Sequence, residues 1–440
     1  MTSVDLNSGA LAPVATEINV NDLQVMGTIP ADLTGQLVRI GPNPFAGRFE
    51  GEGVLGWWTE AAMLHALTFS NGQAQHYSNR WLKTAAWATA MNVPGPHEFV
   101  DTNPNVNVIT HAGSTIALGE GVVPLEIDQS LNTLGMPRHH VGFSAGLTGH
   151  PKLDPVTNEL IGFKQDWMPP FLRYVVFDKS GREIYTQDVE MDSPSMMHDM
   201  AITRSHSIFF DLGVSIDFEM LQQGNPIPIR WFDERPCRLG VLPREGGQVR
   251  WFGIESCFIQ HAVNAYEEND TIVLDVIRYP WYFKYEDATT GYKPNPLANL
   301  WRYVIDLEKG YVSARPLGTN NLELPRINDS RTGRMYRYFY AVEQPSDIEM
   351  RGIAKYDLVS QTFTSHCVPP GDQNSEPIFV PRDGGVNEDD GWVVVCVYRK
   401  STDTSDVLIL NAKNIEEEPV AVVQLPARIP AGFHGGWIAG

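Results

Sequence analysis

Short apolar runs rich in Val, Ile, Tyr, Phe and Trp recur along most of the chain, separated by turn residues, while stretches with a 3.6-residue apolar period are scarce. This pattern predicts an all-β protein. "HALTFSNGQAQHYSNRW", "RYVVFDKSGREIYTQDVEM", "WRYVIDLEKGYVSARPL", "AKYDLVSQTFTSHCV" and "DVLILNAKNIEEEPVAVVQL" share one plan: an aromatic or β-branched strand, a polar turn and a returning strand. Antiparallel hairpins spread over most of 440 residues suit a β-propeller, whose radial sheets leave only short edges. A pair of β-sandwiches satisfies the same pattern. The internal similarity is hydropathic rather than literal, so it fixes neither the number of blades nor their boundaries. No low-complexity linker interrupts the 31 prolines and 38 glycines that punctuate the strands. Residues 1–440 are therefore read as one domain, with 1–30 an N-terminal extension packing on it.

A hydrophobic content of 42% is enough for a large core. The formal charge of -20 disfavours nucleic acid and anionic membrane as primary partners. The N-terminus lacks a basic segment followed by an apolar one, and no apolar run approaches the ~18 residues of a membrane span, so a soluble, cytoplasmic protein is expected. Cys237, Cys257, Cys367 and Cys396 form no CxxC pair, which argues against a disulfide framework or a thiolate metal site. A bound metal would need nitrogen and oxygen ligands.

Twelve histidines could supply them. Four stand in unusual surroundings: His150 in "GHPKLDP", His198 in "MMHDMAIT", His261 in "FIQHAVNAYEE" and His434 in "PAGFHGGW". A single histidine beside an apolar run is ordinarily a core residue with a satisfied hydrogen bond. Separations of 48, 63 and 173 residues exclude a local motif such as HExxH. In a propeller, however, residues far apart in sequence can converge on one axis.

Taken in order, "GQLVRIGPNP", "HPKLDP", "HDMAIT", "HAVNAYE", "ELPRIND", "SEPIFVPR" and "GFHG" make the chain resemble the carotenoid cleavage oxygenase family over nearly its whole length. That family includes carotenoid- and apocarotenoid-cleaving enzymes, stilbene-cleaving dioxygenases and a retinal isomerohydrolase. The resemblance implies a seven-bladed β-propeller with loops and short helices capping an axial metal site. It implies one Fe(2+) per chain, held by His150, His198, His261 and His434, with Glu120, Glu323 and Glu376 behind the rings. Four neutral imidazoles suit a borderline divalent metal; they would also bind zinc, and only the resemblance selects iron. A ligating histidine normally gives its second N–H to an acceptor, a role that the glutamates would fill.

The implied reaction is oxygenative cleavage of a conjugated alkene, with O2 and an apolar substrate as partners and at most transient membrane contact to collect it. Val106, in "NVNV" where many members have "NTNV", would crowd the site through a branched methyl. Stilbene-cleaving relatives carry a lysine before the first glutamate and a tyrosine in "NRY". Here those places hold Gly119 and Trp81, which favours a carotenoid or apocarotenoid over a stilbene or phenylpropene. Trp57, Trp58, Trp81, Trp87 and Phe171 are candidate walls for a flat polyene or ordinary packing residues. Of the remaining histidines, His139 and His140 are expected nearest the site, while Lys152, Asp154 and Asn264 shape turns. The competing readings are isomerisation on the same scaffold and a non-catalytic propeller that binds a partner.

Overall fold

The computed structural model describes residues 5–50, 54–139, 142, 146–225, 227–287, 291–346 and 349–440. The elements are overwhelmingly strands; the α-helices among the described residues, Val54–Trp58, Ala85–Ala90 and Phe218–Gln222, are short. No helix among them is long and apolar enough to cross a membrane.

All five hairpins expected from the apolar pattern form. The first joins Ala62–Ser70 to Gln73–Trp81. Its turn is Asn71-Gly72, with φ of 52° and 71°, the left-handed pair that a two-residue hairpin matching the twist of its strands requires. Burial explains why alternation is weak in some strands and clear in others. Gly35–Pro42 is buried at every position because both faces of its sheet are covered. Glu183–Val189, an outer strand, alternates between exposed and covered positions.

By contact density the chain divides into two compact units. The first comprises Met1–Leu147, Met350–Lys355 and Phe363–Gly440. One of its sheets runs Asn19–Val20, Gln73–Trp81, Ala62–Ser70, Gly35–Pro42, Gly435–Ala439, so a C-terminal strand completes a sheet begun near the N-terminus. Another runs Gln24–Gly27, Ala421–Gln424, Thr404–Asn411, Gly391–Arg399, with an N-terminal strand as its edge. The segment expected as an extension thus contributes strands to two sheets. A core of Leu37, Leu67, Phe69, Val394, Val407 and Ile409, among others, fills the space between them.

The second unit comprises Thr148–Glu349 and Tyr356–Thr362. It holds the sheets Lys152–Leu153, Leu160–Gln165, Leu172–Phe177, Glu183–Val189 and Met200–Ile202, His206–Asp211, Cys237–Pro243, Arg250–Ile254. Phe163, Tyr174, Met197, Met200 and Phe209 pack between these two. A seven-stranded ladder begins with Phe258–Glu268, Thr271–Tyr279, Asn299–Asp306 and the long strand Tyr311–Arg326.

Candidate metal centre

Each histidine singled out in the sequence sits where the backbone is fixed by side chains as well as by ladder bonds. His150 follows a turn in which its own N–H donates to Thr148 Oγ1 at 3.1 Å, while that hydroxyl donates to the His198 carbonyl at 3.3 Å. Met197, next to His198, is gripped in both directions by the Gln165 amide, at 2.9 and 2.8 Å. His261 lies in Phe258–Glu268 just after a register break between Ile259 and His261, with another between Ala262 and Asn264. Such bulges re-aim a side chain relative to the period-two pattern. His434 is held through its backbone, its N–H donating to the Val106 carbonyl at 3.0 Å and its carbonyl accepting from Ile40 N–H at 3.1 Å. The glycine after it is required by space, since a Cβ on Gly435 would stand 2.4 Å from the Val38 carbonyl oxygen.

The rings of His150, His198 and His261 meet edge to face, with centroids 4.5, 5.2 and 5.1 Å apart. With His434 they form the one group among the described residues whose ligand atoms could hold a metal ion, all within 4.8 Å of one another. His150, His261 and His434 are buried and His198 is half-buried.

Carboxylates fix two of the tautomers. His261 Nδ1 lies 2.5 Å from Glu323 Oε2, and His434 Nδ1 lies 3.0 Å from Glu376 Oε1. An ionised carboxylate can only accept, so Nδ1–H donates and Nε2 keeps its lone pair. Burial pushes the Glu323 carboxyl up, but the His261 ring, the Leu324 N–H at 2.6 Å and the Tyr279 hydroxyl at 2.8 Å outweigh it, holding the group below the ordinary glutamate range. Leu324 adopts a left-handed φ of 51° to bring its N–H round, a conformation that costs a non-glycine residue about 1 kcal/mol or more. Glu376 Oε2 also accepts from Gly435 N–H at 3.1 Å. His198 Nε2 stands 3.3 Å from His261 Nε2. With His198 protonated on Nε2 this contact is a hydrogen bond to the His261 lone pair; with it protonated on Nδ1 both nitrogens present lone pairs that one cation could share. Nitrogens about 2.1 Å from one centre are at most about 4.2 Å apart, so donors spread over as much as 4.8 Å would draw together by a few tenths of an ångström on closing around one ion.

The third acid, Glu120, is half-buried in the turn after Ser114–Leu118. Val106 is buried and bonded to the His434 backbone. Gly119 has no room for a side chain: a Cβ there would stand 2.7 Å from Val122 Cγ2 and 3.0 Å from Pro104 Cα. Trp81 is buried with Nε1 donating to the Asn43 carbonyl at 2.9 Å. Trp57 and Trp58 pack on Phe433, the neighbour of His434, at 4.8 and 6.3 Å between ring centroids. Trp87 pairs instead with Phe99 and Lys83. Phe171 is half-buried against the Met197 and Met200 cluster. His139 is exposed to solvent, and His140 lies outside the described residues.

Sequence reasoning missed Asp199. Its buried carboxylate accepts from Met200 N–H at 2.7 Å and Ala262 N–H at 2.8 Å, and pairs with Lys152 Nζ at 2.7 Å. Lys152 therefore does more than shape a turn. Asp154 and Asn264 do hold turns, through Val156 N–H and the backbone of 331–334, and Asp154 also pairs with Arg244 and Arg334. The adjacency of Asp199 to His198 in "HDMAIT" was the available signal.

A family model described as retinal pigment epithelial membrane protein matches residues 11–439. A carotenoid cleavage oxygenase of Mycobacterium tuberculosis is 33% identical over 98% of this chain and 96% of that protein. A carotenoid 9,10(9',10')-cleavage dioxygenase of Crocus sativus is 31% identical over 98% of this chain and 88% of that one. Among solved structures, a lignostilbene dioxygenase of Pseudomonas brassicacearum matches with a TM-score of 0.88 at 25% identity, covering 99% of each chain. Cobalt-substituted Synechocystis apocarotenoid oxygenase matches with a TM-score of 0.86 at 24% identity over 98% of each chain. The chain shares with them an all-β, propeller-type fold.

Proposed function

The chain belongs to the carotenoid cleavage oxygenase family, and on that premise we propose that it is a non-haem iron dioxygenase that cleaves a carbon-carbon double bond of a carotenoid or apocarotenoid. The observation that carries this reading is the group of four imidazoles whose ligand atoms lie within 4.8 Å, two of them braced by buried glutamates. In this reading His150, His198, His261 and His434 hold one Fe(2+), Glu323 and Glu376 orient two of the rings, and Glu120 completes the acid set. Bound there, ferrous iron supplies the one-electron chemistry through which triplet O2 reacts with a closed-shell alkene. One alkene and one O2 are consumed, each former alkene carbon ends as a carbonyl, and no external reductant is required. The chain's own part is to present neutral imidazoles with fixed tautomers and to surround them with apolar walls such as Val106, Trp57 and Trp58. No side chain need act as a general base.

The carotenoid preference is supported by relatives at 31 to 33% identity that are carotenoid oxygenases. It is supported also by Gly119, where close packing bars the lysine found in stilbene-cleaving members. The reading includes a single propeller of seven sheets. Six sheets of four or more strands are present among the described residues. The long strand Tyr311–Arg326 pairs with Asn299–Asp306 through its first half and Tyr338–Glu343 through its second, and a division of the seven-stranded ladder at that strand would make seven.

Metal analysis of protein purified without added metal, followed by O2 uptake with an apocarotenal and with a hydroxystilbene, tests the proposal. About one iron per chain and uptake with the apocarotenal are expected. Turnover of the hydroxystilbene alone would reassign the substrate, and zinc or no metal would refute the oxygenase reading.

A further inference from the structure

Arg39 of Gly35–Pro42 stands directly opposite His65 of Ala62–Ser70 in the ladder, and both are buried, with 3% and 5% of their surface exposed. Two basic side chains stand on neighbouring strands, and neither has an ion pair among the described residues. The Arg39 hydrogen bond found among the described residues runs from Nη2 to the Phe433 carbonyl at 3.2 Å, and Nη1 is buried with no partner. A guanidinium cannot shed its proton, so its charge persists wherever it is placed. A buried charge left without a counter-charge is strongly unfavourable.

His65 does not provide one. Its Nδ1 lies 2.8 Å from the Tyr77 hydroxyl. That ring nitrogen is the hydroxyl's sole partner among the described residues, so the phenolic proton points at Nδ1 and the neutral ring carries its own proton on Nε2. Burial, with the Arg39 charge added, holds the ring's pKa down to about 3, which keeps it neutral at any ordinary pH.

Arg39 and His65 are the charged or ionisable side chains lining a small chamber whose remaining walls are residues 40–42 and 429–432, apolar side chains and glycine backbone. It has room for one sphere the size of a water, about 10 Å³. We propose that this chamber is a binding site for a small monovalent anion of the halide class, held between Arg39 Nη1 and the N–H of His65 Nε2. The anion supplies the missing counter-charge and fixes the guanidinium. That guanidinium holds the Phe433 carbonyl, while Phe433 and His434 bond to Ile40 through their backbones, so occupancy steadies the segment that carries His434.

Crystals of the wild-type protein grown in bromide and measured at the bromine absorption edge decide the matter without any assay of the reaction. An anomalous peak in the chamber is expected; density at the level of water with no anomalous signal would overturn the site. In solution, replacing gluconate by chloride at constant ionic strength should raise the unfolding temperature by about 2–4 °C. Arg39→Gln should abolish that rise, and a variant keeping all of it would show that the guanidinium does not bind the anion.

Discussion

Lys152 and Asp199 form an ion pair of 2.7 Å in which each residue stands within two positions of a site histidine. Asp199 also takes the backbone N–H of Ala262, beside His261, so one buried carboxylate ties together the segments that carry three of the four imidazoles. Removing it leaves the Lys152 ammonium and two backbone donors unsatisfied. Asp199→Ala is expected to lower stability by about 3 kcal/mol and to weaken metal retention at least about tenfold. Asp199→Asn keeps an acceptor for the backbone and should recover part of both. Urea midpoints and chelator competition measure the two effects; an alanine variant that holds metal like the wild type would show that Asp199 does not position the site.

Glu323 bears on His261 alone among the four rings for which a contact is described, and Tyr279 bears on Glu323. Glu323→Gln removes the charge that fixes the ring's tautomer and should reduce metal affinity about 10- to 100-fold. Tyr279→Phe deletes one hydrogen bond to a charged group and should cost about 1.5–3 kcal/mol of stability with a smaller loss of affinity. Equal affinity in wild type and Glu323→Gln, by competition with a calibrated chelator, would contradict the role given to the glutamate.

Acid sensitivity has an identifiable source outside the metal site. Burial raises the Glu267 carboxyl, but the His206 ring and the Thr203 and Ser205 hydroxyls more than reverse this and bring it down to about 2. A carboxyl depressed in the folded state stabilises the fold above its unfolded pKa. That contribution is lost as pH falls from about 4.5 towards 2, as the group protonates in the folded chain. Glu323 acts in the same direction. Glu267→Gln should therefore be less stable than wild type at neutral pH and converge with it at low pH, as read from urea midpoints across that range. A constant difference at all pH values would mean that the carboxylate charge is not responsible.

Gly119 packs so tightly that even a methyl group meets Val122 and Pro104 within 3.0 Å. Gly119→Ala should lower stability by about 1–3 kcal/mol through forced displacement of the neighbouring backbone. A calorimetric unfolding temperature equal to that of the wild type would show that the loop yields freely.

Five hairpins were legible because each is a local object: alternating or continuous β-branched and aromatic residues around a turn whose Gly, Asn or Asp permits the reversal. The grouping of His150, His198, His261 and His434 was foreshadowed too, since each stands in a recognisable motif. What the sequence could not specify is everything that depends on distance in space. The bulge before His261 is invisible to a period-two pattern, because the extra residue is defined only by the strand opposite. Asp199 has no evident role until Lys152 and Ala262 are brought against it. Gly119 reads as a missing lysine until Val122 and Pro104 fill the space, and the burial of Arg39 emerges only when its strand is covered on both faces. Residue identity thus determined the local elements and the kinds of ligand atom. Which charges are buried, which rings meet and which acids brace them was decided by packing, because those energies arise between segments that share no sequence neighbourhood.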